Sequence, residues 1–375
     1  MKSSILFLII IAFTSIFLIG ILVGVYETFP YSYLKEIKNM FSVETSKQKH
    51  IETFPTSATQ ISSLVSIDNN IQLHEKRQLL TTFIWKNKNL PFEQTPNIIK
   101  ENIKDSKFQN MSNLKQINQF DIEMEYGVKS ISYLFIPESN NNKLIVYHQG
   151  HSGGFDNGKE TIQELLKQNY SVLAFSMPLL GYNNQPVVET DDFGYIKLMN
   201  HNSLRLIESD EFSPIKYFIH PIFVSLNYVE KEFSFDSYHM VGLSGGGWTT
   251  VLYSAIDERI SKSFPVAGTM PIFLRYEPQN FGDYEQTLPE LYRIANYLEL
   301  YVMGSYGEKR IQYQINNKYD PCCFSGNQSL SYEDIIQKKL TDLGTGQFFV
   351  IIDDSHDKHM ISKQTMSYIL NQLQK

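Results

Sequence analysis

Hydrophobic and polar positions change texture at about residue 117. Beyond it, apolar runs recur with the length of strands. Alternating segments at 120–126 and 128–137 flank Gly127, and short runs follow at 143–148, 171–176, 238–243, 260–266, 310–315 and 347–352. Alternation across a glycine turn predicts an antiparallel pair, whereas unbroken apolar runs predict strands covered on both faces. Helical spacing falls between them at 159–168, 215–232, 248–256, 332–340 and 365–373, with shorter stretches near 202–209 and just before residue 300. Strands alternating with helices predict an α/β domain over 117–375, with a mostly parallel central sheet and helices on both faces. Two segments break the rhythm. One runs over 179–236 and carries Gly181, Pro186, Gly194, Pro214 and Pro221; the other is the aromatic, irregular stretch 271–300. Both read as cap insertions.

Residues 27–116 show no clear alternation. They are rich in Asn, Lys, Gln, Ser and Thr, are punctuated by Pro55, Pro91 and Pro96, and carry a helical pattern over 73–85. This stretch reads as a tether followed by an extension that packs on the main domain. Ahead of it, no charge occurs between Lys2 and Glu27, and the apolar core at 5–26 has 22 residues. As a helix it reaches about 33 Å, enough for a bilayer core of about 30 Å. It is longer than the apolar region of a cleaved signal, about 7–15 residues, and no Ala-x-Ala site follows. Residues 1–26 are therefore expected to be an uncleaved transmembrane anchor, with the large domain outside the cytoplasm.

The formal net charge of -7, with no basic run, excludes a nucleic-acid partner, because phosphate binding needs clustered Lys and Arg. The only cysteines, Cys322 and Cys323, are adjacent. They give neither a disulfide framework nor a zinc signature.

The chemistry centres on Gly242-Leu243-Ser244-Gly245-Gly246, where an apolar run meets a helical one. Strand, tight turn and helix in that order raise a serine hydroxyl to the apex of a bend, and the small flanking residues let the turn pack closely. A serine hydroxyl is a weak nucleophile at neutral pH and needs a base, which in turn needs an orienting carboxylate. In an open parallel sheet such groups gather at the carboxyl ends of strands. Asp320 follows the run at 310–315, and His356 and His359 follow the run at 347–352. His359 is favoured as the base, with His356 the alternative. Oxyanion donors are expected from the Gly245 N–H and from the loop after 143–148, where the His151 N–H is favoured within the range Gln149 to Ser152. His148 and His151 are not expected to bind metal, because no carboxylate or third histidine stands near them in the chain at ligand spacing.

Together, Tyr147-His148-Gln149-Gly150, the Ser244 motif, Asn317-Lys318-Tyr319-Asp320-Pro321 and the His356/His359 loop resemble the α/β-hydrolase superfamily over about two-thirds of the chain. Within it, the chain looks closest to dienelactone-hydrolase-like and acetyl-esterase-like enzymes. The resemblance implies the α/β-hydrolase fold and hydrolysis of esters, thioesters or amides, without selecting among them and with no metal or organic cofactor; a small-molecule acyl ester is the expected substrate. A peptidase on the same fold would need paired acids in the cap, for which Glu208, Asp210 and Glu211 are the candidates. A membrane-tethered, non-catalytic interaction protein is a third reading.

Overall fold

A computed structural model of the chain describes residues 57–86 and 89–375, together with Thr14, Ser15 and Gly20. The apolar segment at 5–26 thus lies outside the described residues except at those three positions. No helix among the described residues is long and apolar enough to cross a membrane. The chain divides into Met1–Pro55 and Thr56–Lys375, and every element below belongs to the second unit.

Its main sheet is built from β1 (Ile98–Lys100), β2 (Leu114–Glu123), β3 (Lys129–Pro137), β4 (Lys143–His148) and β5 (Ser171–Phe175), then β8 (Ser237–Leu243), β9 (Ile260–Val266), β10 (Ile311–Asn317) and β11 (Gln347–Asp353). A separate hairpin joins β6 (Val187–Thr190) to β7 (Gly194–Lys197). The main sheet runs in the order β1-β2-β3-β5-β4-β8-β9-β10-β11. Pairing is antiparallel from β1 to β5 and parallel from β5 onward. Along the parallel part, register sets His148 opposite Gly242, Leu243 opposite Val266, Val266 opposite Ile315 and Asn317 opposite Asp353. The carboxyl ends of these strands therefore share one edge, and their loops meet there.

Successive strand residues point to opposite faces, so each central strand feeds two cores. Ile145, Tyr147, Val172 and Val241 pack with Ile162 and Leu165 of the helix Lys159–Lys167 and with Met366 and Ile369 of the helix Lys363–Gln374. Leu144, Val146, Leu173 and Met240 face the helices Lys216–Glu232, Gly245–Ile256, Tyr297–Ser305 and Glu333–Leu343. The Tyr297–Ser305 helix starts at a reciprocal cap in which Asn296 and Glu299 each accept from the other's backbone N–H.

Residues 57–116 belong to the same compact unit. The helix expected over 73–85 runs from Asn70 to Trp85 and buries Leu73, Leu80 and Ile84 completely. Arg77 on that helix donates to the carbonyls of Ala255 and Met303. Two elements had no readable signal. β1 has three residues, and each strand of the β6–β7 hairpin has four, too few for an alternation to stand out.

Candidate active site

Ser244 occupies the turn between β8 and the helix Gly245–Ile256, with φ 57° and ψ −126°. A residue with a Cβ is rarely held there, at a cost of roughly 1–3 kcal/mol. Surrounding contacts fix the turn: the Ser244 N–H donates to Val266 O at 2.8 Å, and Ser244 O accepts from Trp248 N–H at 3.1 Å. The flanking glycines answer to close approach. A Cβ on Gly242 would lie 2.0 Å from Gly246 O, and one on Gly246 would lie 2.0 Å from His148 O. Both obstacles are backbone atoms and cannot rotate away. Gly246→Ala is therefore expected to lower stability by about 3 kcal/mol, the upper end for overpacking, read as a lower urea midpoint; an unchanged midpoint would contradict this packing.

Asp320 and His359 come together in the loops after β10 and β11. Asp320 is buried and accepts at Oδ2 from His359 Nδ1 at 2.7 Å and from Asn317 Nδ2 at 3.2 Å. Its Oδ1 accepts from the N–H groups of Cys322 at 2.9 Å and Cys323 at 3.4 Å. A carboxylate only accepts, so the imidazole proton sits on Nδ1. His359 Nε2 is then a bare acceptor, and it is shielded from solvent without a hydrogen-bond partner. Asn317 was not singled out from the sequence. Its amide also donates to Lys358 O and Met360 O, which ties the histidine loop to the end of β10.

His356 is placed differently. Its Nδ1 accepts from the Lys358 N–H at 3.0 Å, and its Nε2 lies 3.4 Å from Asp353 Oδ2. Asp353, at the end of β11, also accepts from Ser355, Ser362 and Thr365. Burial opposes its charge, but these donors prevail and hold its pKa at about 2. The folded value lies below the ordinary one of about 3.9, so the stabilisation is full above about pH 4 and is lost as pH falls toward about 2. Asp353→Asn should accordingly unfold at lower denaturant than wild type at about pH 6, with the gap closing as pH nears 2. A gap independent of pH would rule this out.

The loop after β4 lies against the serine. A Cβ on Gly150 would come within 2.5 Å of Ser244 Cβ and 3.1 Å of its Oγ. Within the span Gln149 to Ser152, the Gln149 N–H is already committed to Phe175 O at 2.9 Å. His151 follows Gly150, and its ring lies over Gly245, where a Cβ would meet Cε1 at 2.4 Å. Gly245 opens its helix, so its N–H has no partner within that helix. His148 is buried, and burial pushes its pKa down to about 4, so it stays neutral; its Nδ1 bonds Gln149 O.

In three dimensions His151 meets a second histidine and two carboxylates that do not neighbour it in the chain. His151 Nε2 lies 3.0 Å from His201 Nδ1, 3.1 Å from Glu285 Oε1 and 3.2 Å from Asp283 Oδ2. The partners come from both cap insertions, 50 to 134 residues away, so no local spacing could reveal them. Burial opposes charge on Glu285, yet the adjacent His201 and His151 hold its carboxyl well below the usual carboxylate range. The second insertion is fixed to the elbow helix through Tyr292, whose hydroxyl accepts from Trp248 Nε1 at 2.7 Å and donates to Glu285 O at 2.8 Å. The acids considered for an amino-terminus site do not converge: Glu208 accepts from the Tyr284 hydroxyl, while Asp210 and Glu211 are exposed. Cys322 and Cys323 are joined as a disulfide. A surface concavity bordered by Lys143, His239, Lys262 and Gln347 opens at the amino ends of the strands, on the opposite edge from Ser244.

A parallel sheet extended by an antiparallel edge, a serine at the bend after β8, and an acid and a histidine after its last two strands define the α/β-hydrolase fold. Solved structures agree. The chain is similar to acetyl xylan esterase 1 from Thermoanaerobacterium sp., with TM-score 0.51 and 11% identity over 80% of this chain and 92% of that one. It is also similar to the methylesterase BT1017, with TM-score 0.50 and 13% identity over 84% of this chain and 66% of that one. No protein-family model and no curated protein matches the sequence.

Proposed function

We propose that this chain is a membrane-tethered serine hydrolase that cleaves carboxylic esters through an acyl-enzyme on Ser244. The observation that carries the reading is a serine held at positive φ on the sheet edge where the Asp320–His359 pair keeps an imidazole nitrogen bare. Ser244 Oγ attacks the ester carbonyl carbon while His359 Nε2 takes its proton. The oxyanion accepts from the Gly245 N–H and the His151 N–H. His359 then returns the proton to the departing alkoxide, and a water molecule repeats the sequence on the acyl-enzyme. Asp320 retains the Nδ1 proton and stabilises the imidazolium throughout.

One observation supports esters over peptides: the neighbours named above are an acetyl xylan esterase and a methylesterase. The uncharged run at 5–26 supplies the tether, with the catalytic domain on the far side from the cytoplasm.

Membranes carrying the full chain, washed with alkaline carbonate and treated with a fluorophosphonate probe, test both halves of the proposal. Wild type should be labelled in the washed pellet, and folded Ser244→Ala should not. Absence of label on folded wild type overturns the hydrolase reading. Labelled chain recovered in the wash overturns the tether.

A further inference from the structure

Beside Ser244, but outside the proposed proton path, four side chains turn ligand atoms toward one point. His151 Nε2 has the three contacts given above; His201 Nδ1 lies 3.2 Å from Glu285 Oε2 and 3.9 Å from Asp283 Oδ2. All the donor atoms fall within 4.8 Å of one another. Zinc bonds imidazole nitrogen at about 2.0–2.1 Å and carboxylate oxygen at about 2.0–2.2 Å, so a tetrahedral set has donor–donor edges of about 3.3–3.5 Å. The observed edges bracket that value.

Two further features point to a cation. His201 Nε2 lies 3.0 Å from Pro178 O, and a carbonyl can only accept, so this nitrogen carries the ring proton. His201 Nδ1 then faces the cluster and offers it a lone pair once an ion displaces its proton. A ligating histidine typically donates its other N–H to a backbone carbonyl in this way. Glu285 is fully buried, and its Oε2 has no hydrogen-bond donor. A buried carboxylate oxygen without a donor is costly unless a cation balances it.

We propose that His151, His201, Asp283 and Glu285 bind one divalent transition-metal ion of the zinc class. Two neutral imidazoles and two carboxylates neutralise a dication, and borderline nitrogen donors beside oxygen donors suit zinc better than calcium. Four protein ligands close a tetrahedron, which makes the site structural. The ion joins the loop after β4 to the insertions at 179–236 and 271–300, and so fixes both cap segments over the serine. It also holds the His151 ring over Gly245.

The test uses the full chain, stripped of metal with dipicolinate and titrated with Co²⁺, then competed with Zn²⁺. Wild type should bind one ion per chain with the intense visible absorption of tetrahedral cobalt, lack thiolate charge-transfer bands, and gain thermal stability. Asp283→Asn, at a half-exposed side chain, and the isosteric Glu285→Gln should each weaken binding beyond the ~10–100-fold loss typical of an outer-shell partner, with unchanged circular dichroism. Ser244→Ala should bind as wild type, so failure of the hydrolase reading leaves this result intact. Folded wild type that takes up neither ion, or both variants binding as tightly as wild type, would overturn the proposal.

Discussion

His359→Ala is expected to lower kcat for a chromogenic acetyl ester by about 10⁴–10⁶-fold, the range seen when a triad base is removed, with little change in KM. The ring makes one hydrogen bond, to Asp320, and its Nε2 makes none, so its loss removes the proton acceptor while leaving the surrounding backbone bonds in place. His356→Gln is the matched control. His356 contacts Lys358 and Asp353 and not Asp320, so its loss should cost about 1 kcal/mol of stability and leave kcat within a few-fold. The reverse pattern, with activity lost at position 356 and kept at 359, would exchange the roles of the two histidines.

Asp320→Asn should lower kcat by about 10⁴-fold, the effect of the equivalent change in the chymotrypsin-type triad that serves as the worked template for this chemistry. The geometry specifies how. Oδ1 already accepts two backbone N–H groups, from Cys322 and Cys323, so the oxygen of an asparagine would stay on that side. Its NH₂ would then face His359 Nδ1 and the Asn317 amide. Two donors cannot share one bond, so the imidazole proton would move to Nε2, and that nitrogen could not take a proton from Ser244. Nitrogen-15 chemical shifts of His359 would report the tautomer directly. A fall in kcat of less than tenfold, or a proton still on Nδ1, would show that Asp320 does not set the base.

Strand and helix order followed from periodicity because the central strands are covered on both faces. The run at 347–352 appears as β11 at Gln347–Asp353, and the run at 238–243 as β8 at Ser237–Leu243. The glycines around Ser244 were legible for a related reason: a turn this tight excludes a Cβ whatever the rest of the fold does. Asp320 and the histidine pair could be named from their positions after strand runs, since a parallel sheet gathers such loops at one edge.

The choice between His356 and His359 needed three dimensions. Both follow the same strand, and only the path of the loop gives Asp320 to one and Asp353 to the other. Asn317 was hidden because its partners, Lys358 O and Met360 O, are backbone atoms some forty residues away. The His151 cluster was hidden more deeply. The chain around His151 contains no second ligand, and the three partners arrive from two irregular insertions whose folding leaves no periodic trace. What the sequence by itself determined is what local sterics and the burial pattern control: the strand and helix order, the elbow at Ser244 and the loops that carry Asp320, His356 and His359. What only the tertiary structure decided is which polar side chains meet, because hydrogen bonds and ligand contacts depend on distances that loop and cap packing set and no spacing along the chain encodes.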